Sequence, residues 1–131
     1  MNKILGPYQD RIYAVLRLVV GFLLTCHGAS KLFGAFGGTP KPLFSEMGLG
    51  GLIEFAGGIL IALGLYASWA AFVASGMMAV AYFQFHQPGG ALPIQNDGEL
   101  AVVYCFIFLF IAAKGSGKWS VASLMKSPNL S

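Results

Sequence analysis

Charged residues are scarce in this sequence. Eight Lys and Arg and five Asp and Glu amount to 10% of the 131 residues, whereas about a quarter of the residues of a soluble domain are charged. Hydrophobic residues make up 56% of the chain, and its mean hydropathy is +0.72. This composition excludes an ordinary soluble domain and predicts an integral membrane protein. At this length most of the chain must lie in the membrane, so any chemistry takes place within or beside its helices.

Cysteine and metal-binding motifs are scarce as well. The two cysteines, Cys26 and Cys105, form no C-x-x-C motif, so we expect no structural disulfide. A redox role for this pair stays open. The two histidines and the acidic residues lack the helical spacings of metal sites, and the sequence therefore predicts no metal or haem motif. It also carries no phosphate-binding glycine loop and no signature of nucleic-acid binding.

Long uncharged runs predict how the chain crosses the membrane. Residues 55–96 contain no Asp, Glu, Lys or Arg, and one helix of that length would measure about 63 Å, twice a hydrocarbon core of about 30 Å. The run must therefore fold back, and GLYASW at 64–69 and HQPGGALP at 86–93 are the turn signals. We predict a single all-α domain over residues 1–131, a four-helix transmembrane bundle with spans at about 12–33, 49–66, 68–86 and 95–114.

The flanking basic residues predict the orientation of the bundle. Lys41 is the basic residue of the outer loops, to which Lys31 can be added, whereas five basic residues flank the termini: Lys3, Arg11, Lys114, Lys118 and Lys126. The positive-inside rule then places both termini in the cytoplasm. We expect a multi-pass protein of a cytoplasmic (inner) membrane, whose charge of +3 suits anionic lipid headgroups rather than nucleic acid.

Several ionisable residues fall inside the predicted spans. At 100° per residue, Arg17, His27 and Lys31 share a stripe of the first span with small residues, and Glu54 shares a glycine-lined face of the second. Each such group costs about 2.5 to 3.5 kcal/mol at membrane depth unless it is paired or hydrated. Two structural explanations stand beside a functional one: Lys31 and Glu54 can form an ion pair, and Arg17 can extend its charge to the interface.

The fourth span is short, and its shortness bears on the site. Residues 100–113 supply 14 apolar residues, about 21 Å of helix, so a full crossing must recruit residues 96–100 and draw Glu99 below the surface. We expect the polar side chains at the outer ends of the spans to converge on one pocket. They are His27, Lys31, Glu54, Gln84, His86, Asn96, Asp97 and Glu99.

Four segments resemble the DoxX family of small bacterial membrane proteins and its relative DoxD: LRLVVGFLLTCHGASKLFG, GLIEFAGGILIALGLY, MMAVAYFQFH and NDGELAVVYCFIFLFIAAKGSGKWSV. The resemblance implies a four-helix membrane bundle that belongs to membrane oxidoreductase systems, with quinone as electron acceptor for DoxD-type subunits. One departure is that Ala122 stands near the place of an aspartate in the family pattern. The positions that match the family's recurring polar residues are Arg17, His27, Lys31, Glu54, His86, Asn96 and Glu99.

Two classes of function fit these observations. In the first, the outer pocket binds a quinone or another small redox molecule, Lys31 or His27 donates to a carbonyl oxygen, and Glu54 or Glu99 exchanges a proton. The chain would then be a component, and could be the catalytic subunit, of a quinone-linked oxidoreductase system. In the second, the chain is a non-catalytic membrane anchor or assembly subunit for a soluble partner, and its buried charges only pack helices.

Overall fold

The computed structural model describes residues 1–126 and 128–131, and the regular elements in that part of the chain are all helical. Short 3-10 turns and one π-helical turn, Tyr82–His86, connect or extend the helices. The predicted all-α class is confirmed. The helices are α1 (Asn2–Leu5), α2 (Gln9–Phe33), α3 (Glu46–Leu63), α4 (Ala67–Ala81), α5 (Glu99–Lys114) and α6 (Val121–Leu124).

Local sequence signals set the ends of the central helices. The backbone of Gly34 ends α2 with a φ of 68°, and that of Gly64 ends α3 with a φ of 67°, in the left-handed region that glycine adopts without strain. Ser45 begins α3 as its N-cap, because its hydroxyl accepts a hydrogen bond of 3.1 Å from the Gly48 amide. The predicted turn in GLYASW is therefore correct, and it brings α4 directly back along α3.

Among the described residues, three helical segments are long and apolar enough to cross a membrane: Asn2–Phe33, Glu46–Leu63 and Ala67–Gly89. The fourth, α5, has 16 residues and measures about 24 Å, less than a core of about 30 Å. The four-span count and the cytoplasmic location of both termini therefore stay predictions.

The predicted start of the last span at residue 95 is wrong, because a hydrogen-bonded turn occupies that segment. The Gly98 amide donates to Asn96 Oδ1 at 2.9 Å and to the Pro93 carbonyl at 3.1 Å. Asp97 adopts a φ of 55°, which a helix does not contain. The helix α5 thus begins at Glu99 and not four residues earlier.

Glycines let α2 and α3 pack backbone to backbone. A Cβ added at Gly21 would lie 2.6 Å from the Gly58 carbonyl oxygen, and one added at Gly28 would lie 2.6 Å from the Gly51 carbonyl oxygen. Small residues permit such approaches between membrane helices. The helix α4 packs on α3 and on α5. The fully buried side chains of the common core include Leu24 of α2, Ile61 of α3, and Phe108 and Ile111 of α5.

The segment after α5 folds back onto the end of the bundle that carries both termini. Tyr13 donates its hydroxyl to the Gly115 carbonyl, the Ala122 amide donates to the Gly64 carbonyl at 3.1 Å, and the Tyr66 amide donates to the Leu130 carbonyl at 2.7 Å. This end of the bundle is therefore closed by backbone hydrogen bonds from the C-terminal segment.

Candidate functional site

An ion pair joins Lys31 in α2 to Glu54 in α3. Lys31 Nζ lies 2.6 Å from Glu54 Oε1, and the two side chains are 28% and 5% exposed, respectively. Gly51 precedes Glu54 by about one turn, and a Cβ there would lie 2.9 Å from Lys31 Cβ. Because Gly51 has no side chain, the Lys31 side chain can pass over the surface of α3 and reach the Glu54 carboxylate. The ion pair considered from the sequence is present.

The second carboxylate oxygen of Glu54 has no such partner. Among the residues that the structure describes, Glu54 Oε2 is buried and accepts no hydrogen bond. A buried acceptor without a partner costs roughly 1 to 3 kcal/mol, and more when it is charged. Proteins therefore satisfy most such groups, and this oxygen is free to accept a hydrogen bond from a ligand group.

Glu54 lines a cleft of about 240 Å³ between α3 and the end of α4, which we call the Glu54 cleft. Met77, Val80 and Phe85 form its apolar wall. At its mouth, Gln84 Nε2 donates to Glu46 Oε2 at 3.0 Å. The remaining lining residues are Lys31, Met47, Gly50 and Ala81. The cleft thus combines one cation and one incompletely paired carboxylate with apolar walls.

A π-helical turn places two of the lining side chains. The turn Tyr82–His86 extends α4 and carries both Gln84 and Phe85. The wider π-helical turn changes the direction of side chains that follow an α-helix, and such turns occur often at functional sites. Here it brings a polar and an aromatic side chain to the cleft from neighbouring positions.

His86 and Asn96 form a separate cluster with Tyr82. His86 Nδ1 donates to the Asn96 carbonyl at 3.1 Å, while Asn96 Nδ2 donates to the Gly90 carbonyl at 2.9 Å and to the Tyr82 hydroxyl at 3.3 Å. Asn96 is buried. These hydrogen bonds hold the segment between α4 and α5, so the geometry of both residues supports a structural role for them.

The expected convergence on one pocket is also wrong for His27 and Glu99. His27 and Glu99 are exposed, and neither lines the Glu54 cleft. His27 lies about 40° around α2 from Lys31, enough to turn it away from α3, and Glu99 is the first residue of α5. Arg17 is at the other end of the bundle, where it donates to the carbonyls of Ser116 and Trp119.

One charged residue that lines the Glu54 cleft, Glu46, was not among the side chains expected there. Glu46 stands in the first turn of α3, where an acidic residue is ordinary because it complements the helix dipole. It precedes Glu54 by eight residues, about two turns, and this spacing was the available signal that both lie on one side of the helix. Gln84 was expected at the outer end of its span and also lines the cleft.

Comparison with known proteins places this architecture in a family. Residues 12–87 match the family model DoxX. The chain belongs to the DoxX family. The matched range of this DoxX protein contains α3, α4 and the whole of the Glu54 cleft. A relative in Haemophilus influenzae (strain ATCC 51907 / DSM 11121 / KW20 / Rd), described as an uncharacterized protein, is 37% identical over 127 residues, which cover 89% of this chain and 92% of that one. No solved structure matches.

Proposed function

We propose that this DoxX-family protein binds the head group of a quinone in the Glu54 cleft and is the membrane component of a quinone-linked oxidoreductase system of the bacterial inner membrane. The observation that carries the proposal is the buried, unpartnered Oε2 of Glu54 beside the Lys31 ammonium. A soluble or membrane oxidoreductase partner supplies the electrons. A bound quinone supplies the capacity to accept two electrons and two protons.

The size and lining of the Glu54 cleft suit a ring and not a whole lipid. Sites for drug-sized ligands measure about 300 to 1,000 Å³, and this cleft is smaller, at about 240 Å³. Val80 and Phe85 are both lining residues and exposed side chains of α4 and its π-helical turn. A ring between these side chains therefore leaves an isoprenoid tail free to lie along the lipid-facing surface.

The side chains of the chain itself provide the polar chemistry. Lys31 holds a positive charge at 2.6 Å from Glu54 Oε1, where it favours a nearby oxygen that carries negative charge. Glu54 can hold or release a proton at Oε2, as a general acid or base does. Met77, Val80 and Phe85 give both groups an apolar wall, and charges interact more strongly in an apolar surrounding.

Binding of a short-chain benzoquinone analogue to the purified protein tests this proposal. Glu54→Gln removes the carboxylate and should weaken binding about 10-fold to 100-fold, the effect of losing one hydrogen bond to a charged group. Glu99→Gln makes the same chemical change at an exposed residue outside the cleft and should leave the dissociation constant within about threefold, by the small effect of surface changes. Titration calorimetry in detergent measures both.

The alternative is a membrane anchor or assembly subunit without quinone binding. This alternative would be favoured if the wild-type protein bound no analogue while the wild type and Glu54→Gln retained a partner protein equally well. Equal weakening of analogue binding by Glu54→Gln and Glu99→Gln would also contradict the quinone site, because the effect would then not depend on the Glu54 cleft.

A further inference from the structure

A second cleft lies at the opposite end of the bundle, next to Arg17. It measures about 400 Å³ and lies between α2, the end of α3 and the C-terminal segment. Arg17, Lys118, Trp119 and Ser120 are among its lining residues. We call it the Arg17 cleft. It shares no residue with the Glu54 cleft, so what it binds is independent of the proposed quinone site.

The charge of Arg17 is buried without an acidic partner. Arg17 is 3% exposed, and its guanidinium donates to two backbone carbonyls, those of Ser116 and Trp119, the latter at 2.8 Å. In the described part of the chain, its Nε donates no hydrogen bond, and the two ion pairs join other residues. Carbonyl dipoles orient the guanidinium but leave its full positive charge, which is costly at membrane depth.

Further basic groups stand at the mouth of the Arg17 cleft. Lys118 is 80% exposed and its Nζ lies 2.9 Å from Asp10 Oδ2. Asp10 and Arg17 are seven residues apart on α2, about 10 Å along the axis, so the cleft extends from the level of Lys118 down to Arg17. The Arg11 guanidinium lies 5.5 Å from the centre of the Trp119 ring. Three cations and one carboxylate leave a net positive charge around the cleft.

The other walls of the cleft are apolar and face outward. Val15 and Leu18 of α2, Leu63 of α3 and Leu124 of α6 line it, and all four are exposed. A small hydrophilic anion would make no favourable contact with these apolar walls. An acyl chain would pack against them and shield them from water. The cleft thus offers charge for an anionic group and an apolar surface for a chain attached to it.

We propose that the Arg17 cleft is a binding site for an anionic phospholipid. The phosphate group lies near Lys118 and compensates the charge of Arg17, and an acyl chain lies along Leu18 and Leu63. Arginine and lysine are the side chains that proteins use for phosphate. Free phosphate shares this chemistry but lacks the chain, so the experiment must separate the two sources.

The test compares lipids on the purified full-length protein in detergent. Phosphatidylglycerol should raise the melting temperature and be retained in native mass spectra, whereas phosphatidylcholine with the same acyl chains and inorganic phosphate should do neither. Lys118→Gln should weaken phosphatidylglycerol binding about fivefold, the effect of one basic residue at an anionic lipid. Lys3→Gln, the same charge change at an exposed residue outside the cleft, should not weaken it.

A charge placed beside Arg17 tests the buried group without removing it. Arg17 Nη1 and Ser120 Cβ would each lie 2.5 Å from a Cβ at Gly64, so Arg17 and Ser120 are neighbours. Ser120 is the N-cap of α6 and accepts from the Ser123 amide at 3.1 Å. Asp and Asn both serve as N-caps and differ in charge. Ser120→Asp should abolish the preference for phosphatidylglycerol, whereas Ser120→Asn, which adds no charge, should reduce it much less.

Three outcomes would overturn the lipid site. Equal stabilisation by phosphatidylglycerol and phosphatidylcholine would show that the anionic group is not recognised. Stabilisation by inorganic phosphate alone would show that the apolar walls have no role. Equal losses with Lys118→Gln and Lys3→Gln, or with Ser120→Asp and Ser120→Asn, would show that the cleft is not the place of binding.

Discussion

Gly28→Leu is expected to separate α2 from α3 and to leave little folded protein. A Cβ at this position would lie 2.6 Å from the Gly51 carbonyl oxygen and from Phe55 Cα, and backbone atoms cannot move aside as a flexible side chain can. Overpacking costs about 1 to 3 kcal/mol where side chains can adjust, so we expect at least about 3 kcal/mol at this backbone contact, out of a total stability of about 5 to 15 kcal/mol. The melting temperature and the yield of monodisperse protein in detergent measure the loss.

Gly76→Leu is the matched control for this change. Gly76 is an exposed residue of α4, and a Cβ there meets no atom within 4 Å among the described residues. The same replacement should therefore leave the melting temperature near that of the wild type. A Gly28→Leu protein as stable as Gly76→Leu would contradict the close packing of α2 on α3, and with it the geometry that brings Lys31 to Glu54.

Breaking the ion pair from one side is expected to destabilise the protein more than removing both of its members. Lys31→Met leaves the Glu54 carboxylate buried without a cation, and Glu54→Gln leaves Lys31 without its carboxylate. Removing one partner of a buried pair costs about 3 to 5 kcal/mol, whereas replacing both is often tolerated. The double variant should recover part of the melting temperature that each single variant loses.

The exposed pair of Lys118 and Asp10 supplies the comparison for this cycle. Its Lys118 side chain is 80% exposed, and exposed pairs contribute about 0 to 1 kcal/mol. Lys118→Met and Asp10→Asn should therefore change the melting temperature little. Strictly additive losses for Lys31→Met and Glu54→Gln would mean that the two side chains do not interact in the membrane protein.

The sequence predicted the helical class and the main turn because both depend on local signals. An uncharged run of 42 residues cannot be one membrane helix, and Gly64 offered the left-handed conformation that ends α3. The start of α5 depends on other interactions. Asn96 forms hydrogen bonds with Gly90 and Gly98. These bonds hold residues 96–98 in a turn, so α5 begins at Glu99, and a count of apolar residues does not predict this turn.

The part of the candidate site that could be predicted is the pairing of its buried charges, because an unpaired charge is costly at membrane depth. Lys31 and Glu54 were candidates for pairing because neither is tolerated alone at membrane depth, and they do pair. His27 was included because it shares part of a helix face with Lys31, and a rotation of about 40° is too small a difference to resolve from sequence. Arg17 donates to backbone carbonyls of the C-terminal segment. Every residue has a backbone carbonyl, so the sequence does not indicate which ones accept these hydrogen bonds.

Photochemical labelling of the wild-type protein in lipid nanodiscs tests the quinone site most directly. A short-chain quinone analogue with a photoreactive group, followed by peptide mass spectrometry, should label the lining residues Met47, Met77 or Phe85. Excess unlabelled analogue should compete with this labelling, and Glu54→Gln should remove it. Labelling confined to the apolar groove of Trp69 and Leu109 between α4 and α5, and unchanged by Glu54→Gln, would contradict a quinone site in the Glu54 cleft.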